Sequence, residues 1–179
     1  MNRQSHYVMI IVNAVSNLVN FRHELILELI DRGYGVIIVS PSGDELKTYK
    51  ELGCKIVEQS VNRHGKSVLQ DITLMMKYFQ YVQQWKPFCV LTYTIKPNLY
   101  GGFVSRILRV PYFINITGLG VAFTKQGFMT SVIIHMYRRV LKHAKCVFFQ
   151  NKNNRQAFIR LKIPFYHSIV LPGSGVNLS

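Results

Sequence analysis

The chain has 179 residues, of which 49% are hydrophobic and 17% are charged. This length and composition suit one globular domain with a substantial core, and they exclude an intrinsically disordered or collagen-like chain. No apolar run approaches the roughly 18 residues that span a bilayer, and the three cysteines are widely spaced. We therefore expect a cytoplasmic protein with reduced thiols.

The net charge of +14 is concentrated in one part of the chain. Residues 1–60 contain six Lys or Arg and seven Asp or Glu, whereas residues 61–179 contain sixteen cations and a single acid, Asp71. So uneven a distribution predicts an anionic partner, which could be a phosphorylated ligand, an acidic membrane surface or nucleic acid. The scarcity of acids also argues against a pair of catalytic carboxylates in the basic part.

Strand and helix patterns alternate along the chain. Short apolar runs between polar residues predict strands, and apolar residues at helical spacing predict helices. The predicted strands cover residues 7–13, 36–40, 55–59, 88–94, 112–116, 146–150 and 168–171. The predicted helices cover residues 21–32, 45–52, 67–85, 97–108, 129–143 and 153–161. This order predicts a single α/β domain, Rossmann-like and doubly wound, with about seven mainly parallel strands.

The loops after the strands form the candidate site, because ligands of such sheets bind beyond the carboxyl ends of the strands. Arg63 and Lys66 precede a helix that we expect Ser67 to cap, and Lys96 and Asn98 repeat this arrangement at the next helix. Cations beside the free amide groups of a helix N-terminus are suited to bind phosphate. An ordinary capped loop remains the alternative for each segment.

Glycines near two of these loops indicate close approaches of the backbone. Thr117, Gly118 and Gly120 follow the fifth strand, where backbone amides could reach a ligand, and a simple tight turn is the alternative. Gly101 and Gly102 are better explained by close packing of their helix on a neighbour.

Three familiar ligand-binding patterns are incomplete or missing. The segment from His64 to Ser67 resembles the end of a P-loop, but position 60 is Ser where that motif requires Gly. The first βα loop lacks the glycines of a dinucleotide-binding fingerprint. The six histidines show no metal-ligand spacing, so we expect no metal ion.

The predicted helix 129–143 carries apolar residues along one side and cations at its end. The cations are explained by the helix dipole alone, but they would also suit an anionic membrane surface. Phe123, Lys125 and Phe128 precede this helix and add aromatic and basic character, so membrane contact is a hypothesis for this segment.

Several short motifs follow one another in a recognisable order. They are Phe21-Arg22, DRGYGV from residue 31, Arg63 with Gly65, TIKPNLYGG from residue 94, Gly118-Leu-Gly, FQN from residue 149 and PGSGVNL from residue 172. This series resembles the amino-terminal half of bacterial GT-B glycosyltransferases of the retaining, glycogen-synthase-like superfamily. The most similar group builds capsule, O-antigen and glycoprotein glycans on undecaprenyl diphosphate.

The resemblance implies a function for the chain as part of a two-domain enzyme. Such an enzyme transfers a sugar from a nucleotide-sugar to a polyprenyl-diphosphate-linked saccharide, without a metal, at the inner face of the cell membrane. This half would bind the acceptor, and a carboxyl-terminal domain would hold the donor and the catalytic glutamates. By resemblance, Asn17, Arg22, Arg63, Lys96, Asn98 and the 118–120 loop face the cleft, with Gly173 and Gly175 at the start of the interdomain linker.

Some positions depart from that family. Many relatives have His where this chain has Thr117, and His where it has Tyr93 or Thr94, so no catalytic role is assigned to these residues. Two other functions remain open: a basic α/β module that binds nucleic acid, and one subunit of a split glycosyltransferase. We also expect the cations to gather at the carboxyl edge of the sheet, where they would attract a pyrophosphorylated lipid.

Overall fold

The computed structural model describes residues 6–60, 67–118 and 127–172. Seven parallel strands lie within these ranges: β1 (Tyr7–Ile11), β2 (Gly35–Ser40), β3 (Lys55–Glu58), β4 (Cys89–Tyr93), β5 (Tyr112–Ile116), β6 (Cys146–Phe149) and β7 (Ser168–Val170). They form one sheet in the order β3-β2-β1-β4-β5-β6-β7. The predicted Rossmann-like fold with seven parallel strands is therefore confirmed.

Helices connect the strands. They are α1 (Ser16–Phe21), α2 (His23–Asp31), α3 (Leu46–Glu51), α4 (Val68–Trp85), a π-helical turn (Pro97–Gly101), α5 (Gly102–Ile107), α6 (Phe128–Leu141) and α7 (Lys152–Arg160). Right-handed crossovers place α1, α2 and α3 on one face of the sheet, and the later helices on the other. Each face has its own core, one around Leu18, Ile26 and Tyr49 and the other around Tyr78, Tyr137 and Phe158.

The predicted first helix, residues 21–32, differs from the observed structure. Two helices replace it, and they meet at Arg22, whose φ of −134° and ψ of 1° interrupt the helix. Helix α1 was missed because its sequence, SNLVNF, contains poor helix formers and buries only Leu18. The break matters because it places the side chain of Arg22 at the carboxyl edge of the sheet.

Two other helix starts also differ from the sequence-based expectation. Ser67 occupies the N-cap position of α4, but its side chain makes no capping hydrogen bond. The predicted helix 97–108 opens with the π-helical turn and continues as α5. Short π-helical turns inside helices occur frequently at functional sites, and this one directly follows the β4 loop.

The predicted close packing at Gly101 and Gly102 is confirmed. A Cβ atom on Gly102 would lie 2.5 Å from Cγ1 of Val140, and one on Gly101 would lie 3.0 Å from Cγ2 of Thr92. Any larger residue at Gly102 would push α5 away from α6. The two glycines thus hold the segment after β4 tightly against the sheet and its neighbouring helix.

Candidate functional site

A pocket of about 410 Å³ opens at the carboxyl edge of the sheet. It lies beside the junction of β1 and β4, where the strand order reverses, and this switch point is the usual ligand site of open α/β sheets. Its described lining residues come from the end of β4 and from the segments that follow β1, β5 and β6: Asn17, Phe21, Arg22, Tyr93, Thr117 and Gln150.

Arg22 is the only cation among the described residues that line this pocket. It is 9% exposed, and its guanidinium carbon lies 4.3 Å from the centre of the Tyr93 ring. Nη1 of Arg22 donates a hydrogen bond of 2.6 Å to the carbonyl of Phe21. Burial lowers the pKa of Arg22, while its interaction with Tyr93 acts in the opposite direction. Because an arginine stays protonated even when buried, the pocket contains a fixed positive charge.

Tyr93, the last residue of β4, forms the base beneath that guanidinium. It is 3% exposed, and burial raises its pKa to about 12, with Arg22 opposing the shift. The phenol is therefore neutral near pH 7. A stacked aromatic ring and a hydrogen bond to the backbone hold the guanidinium in one place, so it is preorganised for a ligand.

The remaining lining groups are neutral and polar or aromatic. Asn17 donates from Nδ2 to Oδ1 of Asn13 at 3.3 Å, and Thr117 and Gln150 contribute a hydroxyl and an amide. None of the six lining residues within the described ranges has a carboxylate, so none of these six side chains is suited to acid–base catalysis near neutral pH. One cation among amides, a hydroxyl and aromatic rings suits a ligand that carries phosphate and sugar hydroxyls.

Three of the predicted site residues line this pocket together: Asn17, Arg22 and Thr117. Gly118 follows Thr117 directly and is exposed, and a Cβ there would meet no atom within 4 Å. Arg63, Lys66, Gly120, Gly173 and Gly175 lie outside the described residues, so their predicted roles stay predictions.

Lys96 and Asn98 are instead engaged within the fold. Nζ of Lys96 lies 2.7 Å from Oδ1 of Asp71, and the two side chains are 16% and 25% exposed. Asn98 is 1% exposed, accepts a hydrogen bond of 2.8 Å from Thr92 and donates one of 2.9 Å to the carbonyl of Asn115. Both side chains fix the loop after β4. A ligand contact by either residue stays a prediction, and for Asn98 it would require these bonds to break.

Residues 8–151 match the model of the glycosyl transferase 4-like family. The chain belongs to this family. The resemblance to the amino-terminal half of GT-B glycosyltransferases, inferred from the ordered motifs, is confirmed. The matched range contains all six described residues that line the pocket.

One curated relative of this glycosyl transferase 4-like chain comes from Campylobacter jejuni. It is named N,N'-diacetylbacillosaminyl-diphospho-undecaprenol alpha-1,3-N-acetylgalactosaminyltransferase, and it is 24% identical over 174 residues. The match covers 93% of this chain and 46% of the relative. The chain thus spans about half the length of the curated relative it matches.

Solved structures share the fold of this glycosyl transferase 4-like chain. MurG from Acinetobacter baumannii has a TM-score of 0.61 and 20% identity, over 97% of this chain and 46% of MurG. Anabaena HepE, solved with UDP and glucose, has a TM-score of 0.63 and 15% identity, over 92% of this chain and 43% of HepE. At these identities the similarity establishes the fold.

Three of the pocket residues, Phe21, Tyr93 and Gln150, are not among the predicted site residues. A positional signal was available, because Tyr93 ends β4 and Gln150 follows β6 directly. Both therefore lie at the carboxyl edge of the sheet, where ligands of this fold class bind.

The charge of this glycosyl transferase 4-like domain is distributed differently from our expectation. Most described cations beyond residue 67 lie at or just after the carboxyl ends of the helices on one face of the sheet, namely Lys86, Arg106, Arg109, Arg138, Arg139, Lys142, Lys145, Arg160 and Lys162. Helices run antiparallel to the strands in this fold, so these residues lie at the edge opposite the pocket. The expected gathering at the pocket edge is therefore wrong for this group, whose positions suit the helix dipoles.

Within residues 6–60, 67–118 and 127–172, no group of three or more His, Cys, Asp or Glu side chains could hold a metal ion. No helix in the same ranges combines the length and the apolar character needed to cross a bilayer.

Proposed function

We propose that this glycosyl transferase 4-like chain is the acceptor-binding half of a glycosyltransferase. The full enzyme would transfer a sugar from a nucleotide-sugar to a saccharide linked to a lipid diphosphate, in the assembly of a surface polysaccharide or glycan. The Campylobacter relative is named for such a substrate, a diphospho-undecaprenol saccharide. The donor would bind in a second half like that of the longer relatives.

The observation that carries this proposal is the buried Arg22 in the pocket at the strand switch point. A guanidinium held in place binds phosphate oxygens through paired hydrogen bonds. The amides of Asn17 and Gln150 and the hydroxyl of Thr117 are suited to the sugar next to that phosphate. None of these described residues has a carboxylate. This fits an enzyme in which the amino-terminal half binds the acceptor and the second half supplies the catalytic groups.

Three finer features belong to the same proposal. We expect transfer to proceed without a metal ion, the enzyme to lie on the inner face of the cell membrane, and the nucleotide-sugar to reach the cleft from the cytoplasm. Activity that persists in excess EDTA would support the first feature. Activity that requires an added divalent cation would contradict it.

The test is the steady-state kinetics of the complete polypeptide, with the acceptor and the nucleotide-sugar varied in turn. Replacing Arg22 with Ala should raise KM for a lipid-diphosphate acceptor about tenfold to a hundredfold, because a hydrogen bond to a charged group contributes about 1.5–3 kcal/mol. KM for the donor should change by less than about twofold. Arg22→Lys should give an intermediate value, since it keeps the charge but loses the paired geometry.

Arg160→Ala is the matched control, because it removes an exposed cation at the edge opposite the pocket. It should leave both KM values unchanged. An unchanged acceptor KM in folded Arg22→Ala would contradict the role assigned to the pocket. Tight binding of duplex or single-stranded nucleic acid, without transfer of any sugar, would favour the nucleic-acid-binding alternative. Activity only after addition of a separate donor-binding chain would favour the split enzyme.

A further inference from the structure

Thr94, the first residue after β4, has an unusual backbone conformation. Its φ is +72°, in the left-handed region that β-branched residues rarely adopt. Three other described non-glycine residues have a positive φ, namely Lys86, Arg109 and Lys162. Each of these three lies just after the carboxyl end of a helix, where a left-handed residue is a common way to end the helix. This explanation does not apply to Thr94, because Thr94 follows a strand.

The hydroxyl of Thr94 is unsatisfied as well. Its Oγ1 is buried and has no hydrogen-bond partner among the described residues. A threonine that precedes a helix usually accepts a hydrogen bond from an amide of the first turn, but Thr94 makes no such bond. A buried polar atom without a partner costs free energy. Thr94 therefore combines two unfavourable features, a strained backbone and an unpaired hydroxyl, and such features cluster at functional sites.

Hydrogen bonds around Thr94 hold this conformation in place. Its carbonyl accepts a hydrogen bond of 2.9 Å from the backbone amide of Asn98. The side chain of Asn98 is fixed in turn by Thr92 and by the carbonyl of Asn115. A strained residue persists only where its surroundings determine its conformation in this way. A glycine would adopt the same φ without strain, so the fold itself does not require a threonine here.

Thr94 lies beside the pocket at the strand switch point. It directly follows Tyr93, which lines the pocket. The register of the sheet pairs Tyr93 with Asn115, so one step further along the strands Thr94 lies opposite Ile116, next to Thr117. Its Oγ1 is covered in this structure, but turning the side chain about the Cα–Cβ bond breaks no hydrogen bond to a described residue. The hydroxyl can therefore reorient towards a ligand.

We propose that Thr94 is a further ligand-contacting residue of the candidate site, and that its hydroxyl binds the sugar of the acceptor. Arg22 already supplies the charge that suits a phosphate. A hydroxyl both donates and accepts hydrogen bonds, as the polar groups of a sugar require. The sugar would give Oγ1 the partner that the described residues do not provide. This inference rests on the proposed function, because it takes the ligand of the pocket to be a sugar linked to a diphosphate.

The test is isothermal titration calorimetry of the complete polypeptide with two probes. One is a short-chain, water-soluble prenyl diphosphate that carries a single N-acetylated sugar, and the other is the same prenyl diphosphate without the sugar. Thr94→Val keeps the shape of the side chain and removes the hydroxyl. It should raise Kd for the sugar-bearing probe about threefold to tenfold, the effect of losing one hydrogen bond between uncharged groups. Its Kd for the sugar-free probe should equal that of the wild type.

Two control variants accompany this measurement. Thr94→Ser keeps the hydroxyl, so it should bind both probes as the wild type does. Thr48→Val makes the same replacement as Thr94→Val at an exposed threonine of α3, which is not among the described residues of the pocket. It should leave both Kd values unchanged.

Urea unfolding separates a ligand contact from a structural role. Thr94→Val removes a buried hydroxyl that has no described partner, so the unfolding midpoint should stay the same or rise. Thr92→Val should lower the midpoint, because the hydroxyl of Thr92 donates a hydrogen bond of 2.8 Å to Asn98 inside the fold. A lower midpoint in Thr94→Val would show that its hydroxyl stabilises the fold, and this result would overturn the proposal.

The binding results decide the remaining cases. Equal Kd values of Thr94→Val and the wild type for the sugar-bearing probe would overturn the proposal. Equal weakening for both probes would do the same, because it would assign the hydroxyl to the diphosphate. If Arg22→Ala weakens both probes while Thr94→Val weakens neither, the contact of Thr94 fails alone. If the wild type binds neither probe, the proposed function fails and this proposal fails with it. If both probes bind as expected but no sugar is transferred, the transfer reaction fails and the contact stands.

Discussion

The ion pair between Asp71 and Lys96 provides a quantitative test of the structure. Its oxygen–nitrogen distance is 2.7 Å, and its side chains are 25% and 16% exposed. A second pair, Glu28 with Arg32, has nearly the same distance, 2.6 Å, but its side chains are 56% and 68% exposed. Burial is thus the main difference between the two, and the consequences of breaking them should differ accordingly.

Replacing Asp71 with Asn leaves the ammonium of Lys96 in a mostly buried site without its counter-charge. Breaking a fully buried pair in this way costs about 3–5 kcal/mol. Because this pair keeps some exposure, we expect Asp71→Asn to lower the free energy of unfolding by about 2–3 kcal/mol. Glu28→Gln should lower it by less than about 0.5 kcal/mol, as is usual for an exposed pair along a helix.

Urea unfolding measures both changes, followed by the fluorescence of Trp85, the single tryptophan of the 179 residues. Trp85 ends the helix that carries Asp71. For a urea dependence of about 2 kcal/mol per molar, Asp71→Asn should move the midpoint by about 1 M. Adding Lys96→Met should recover much of the loss, since no charge is then left unpaired. Equal midpoint shifts in Asp71→Asn and Glu28→Gln would refute this reasoning.

Two further predictions concern packing and thiol chemistry. Gly102→Ala should destabilise the fold by about 1–3 kcal/mol, because the new Cβ would lie 2.5 Å from Cγ1 of Val140. Gly118→Ala is the control and should be nearly neutral, because a Cβ there meets no atom within 4 Å. Similar unfolding midpoints for the two variants would contradict the close packing at Gly102. Burial raises the pKa of the Cys54 and Cys89 thiols from 9.0 to about 11. At pH 8 the fraction of each thiol that is ionised is therefore about a hundredfold lower in the folded protein than in the unfolded chain. Alkylation by iodoacetamide should therefore be at least about a hundredfold slower in native protein than in urea, and equal rates would show that the thiols are accessible.

Most of the sheet could be predicted from local sequence, because each strand of a buried parallel sheet is a short apolar run between polar residues. The predicted strand 112–116 has the observed bounds, strand 88–94 is one residue too long at each end, and the others differ by one or two residues at one end. Helix α1 could not be found in the same way. Its six residues are too few to show a helical repeat, and only Leu18 among them is buried.

The location of the candidate site could be predicted from the sequence better than the hydrogen-bond and ion-pair partners of its residues. Asn17, Arg22 and Thr117 were found because the strand order fixes which loops meet at the carboxyl edge. Lys96 was interpreted as a free cation because its partner, Asp71, lies 25 positions away in the sequence. Asn98 was interpreted as a ligand group for the same reason, since Thr92 and Asn115 engage its amide only in the folded chain.

The cations at the helix carboxyl ends have a practical consequence for handling this protein. Nine of them, from Lys86 to Lys162, lie at the edge of the sheet away from the pocket. Adhesion to cation-exchange resin, heparin or cellular polyanions should therefore use that edge and weaken steeply with added salt. Retention on such materials would then measure binding by the cations at the carboxyl ends of four helices, and it would not measure binding at the pocket. A soluble polyanion bound at that edge should not compete with a ligand that Arg22 binds.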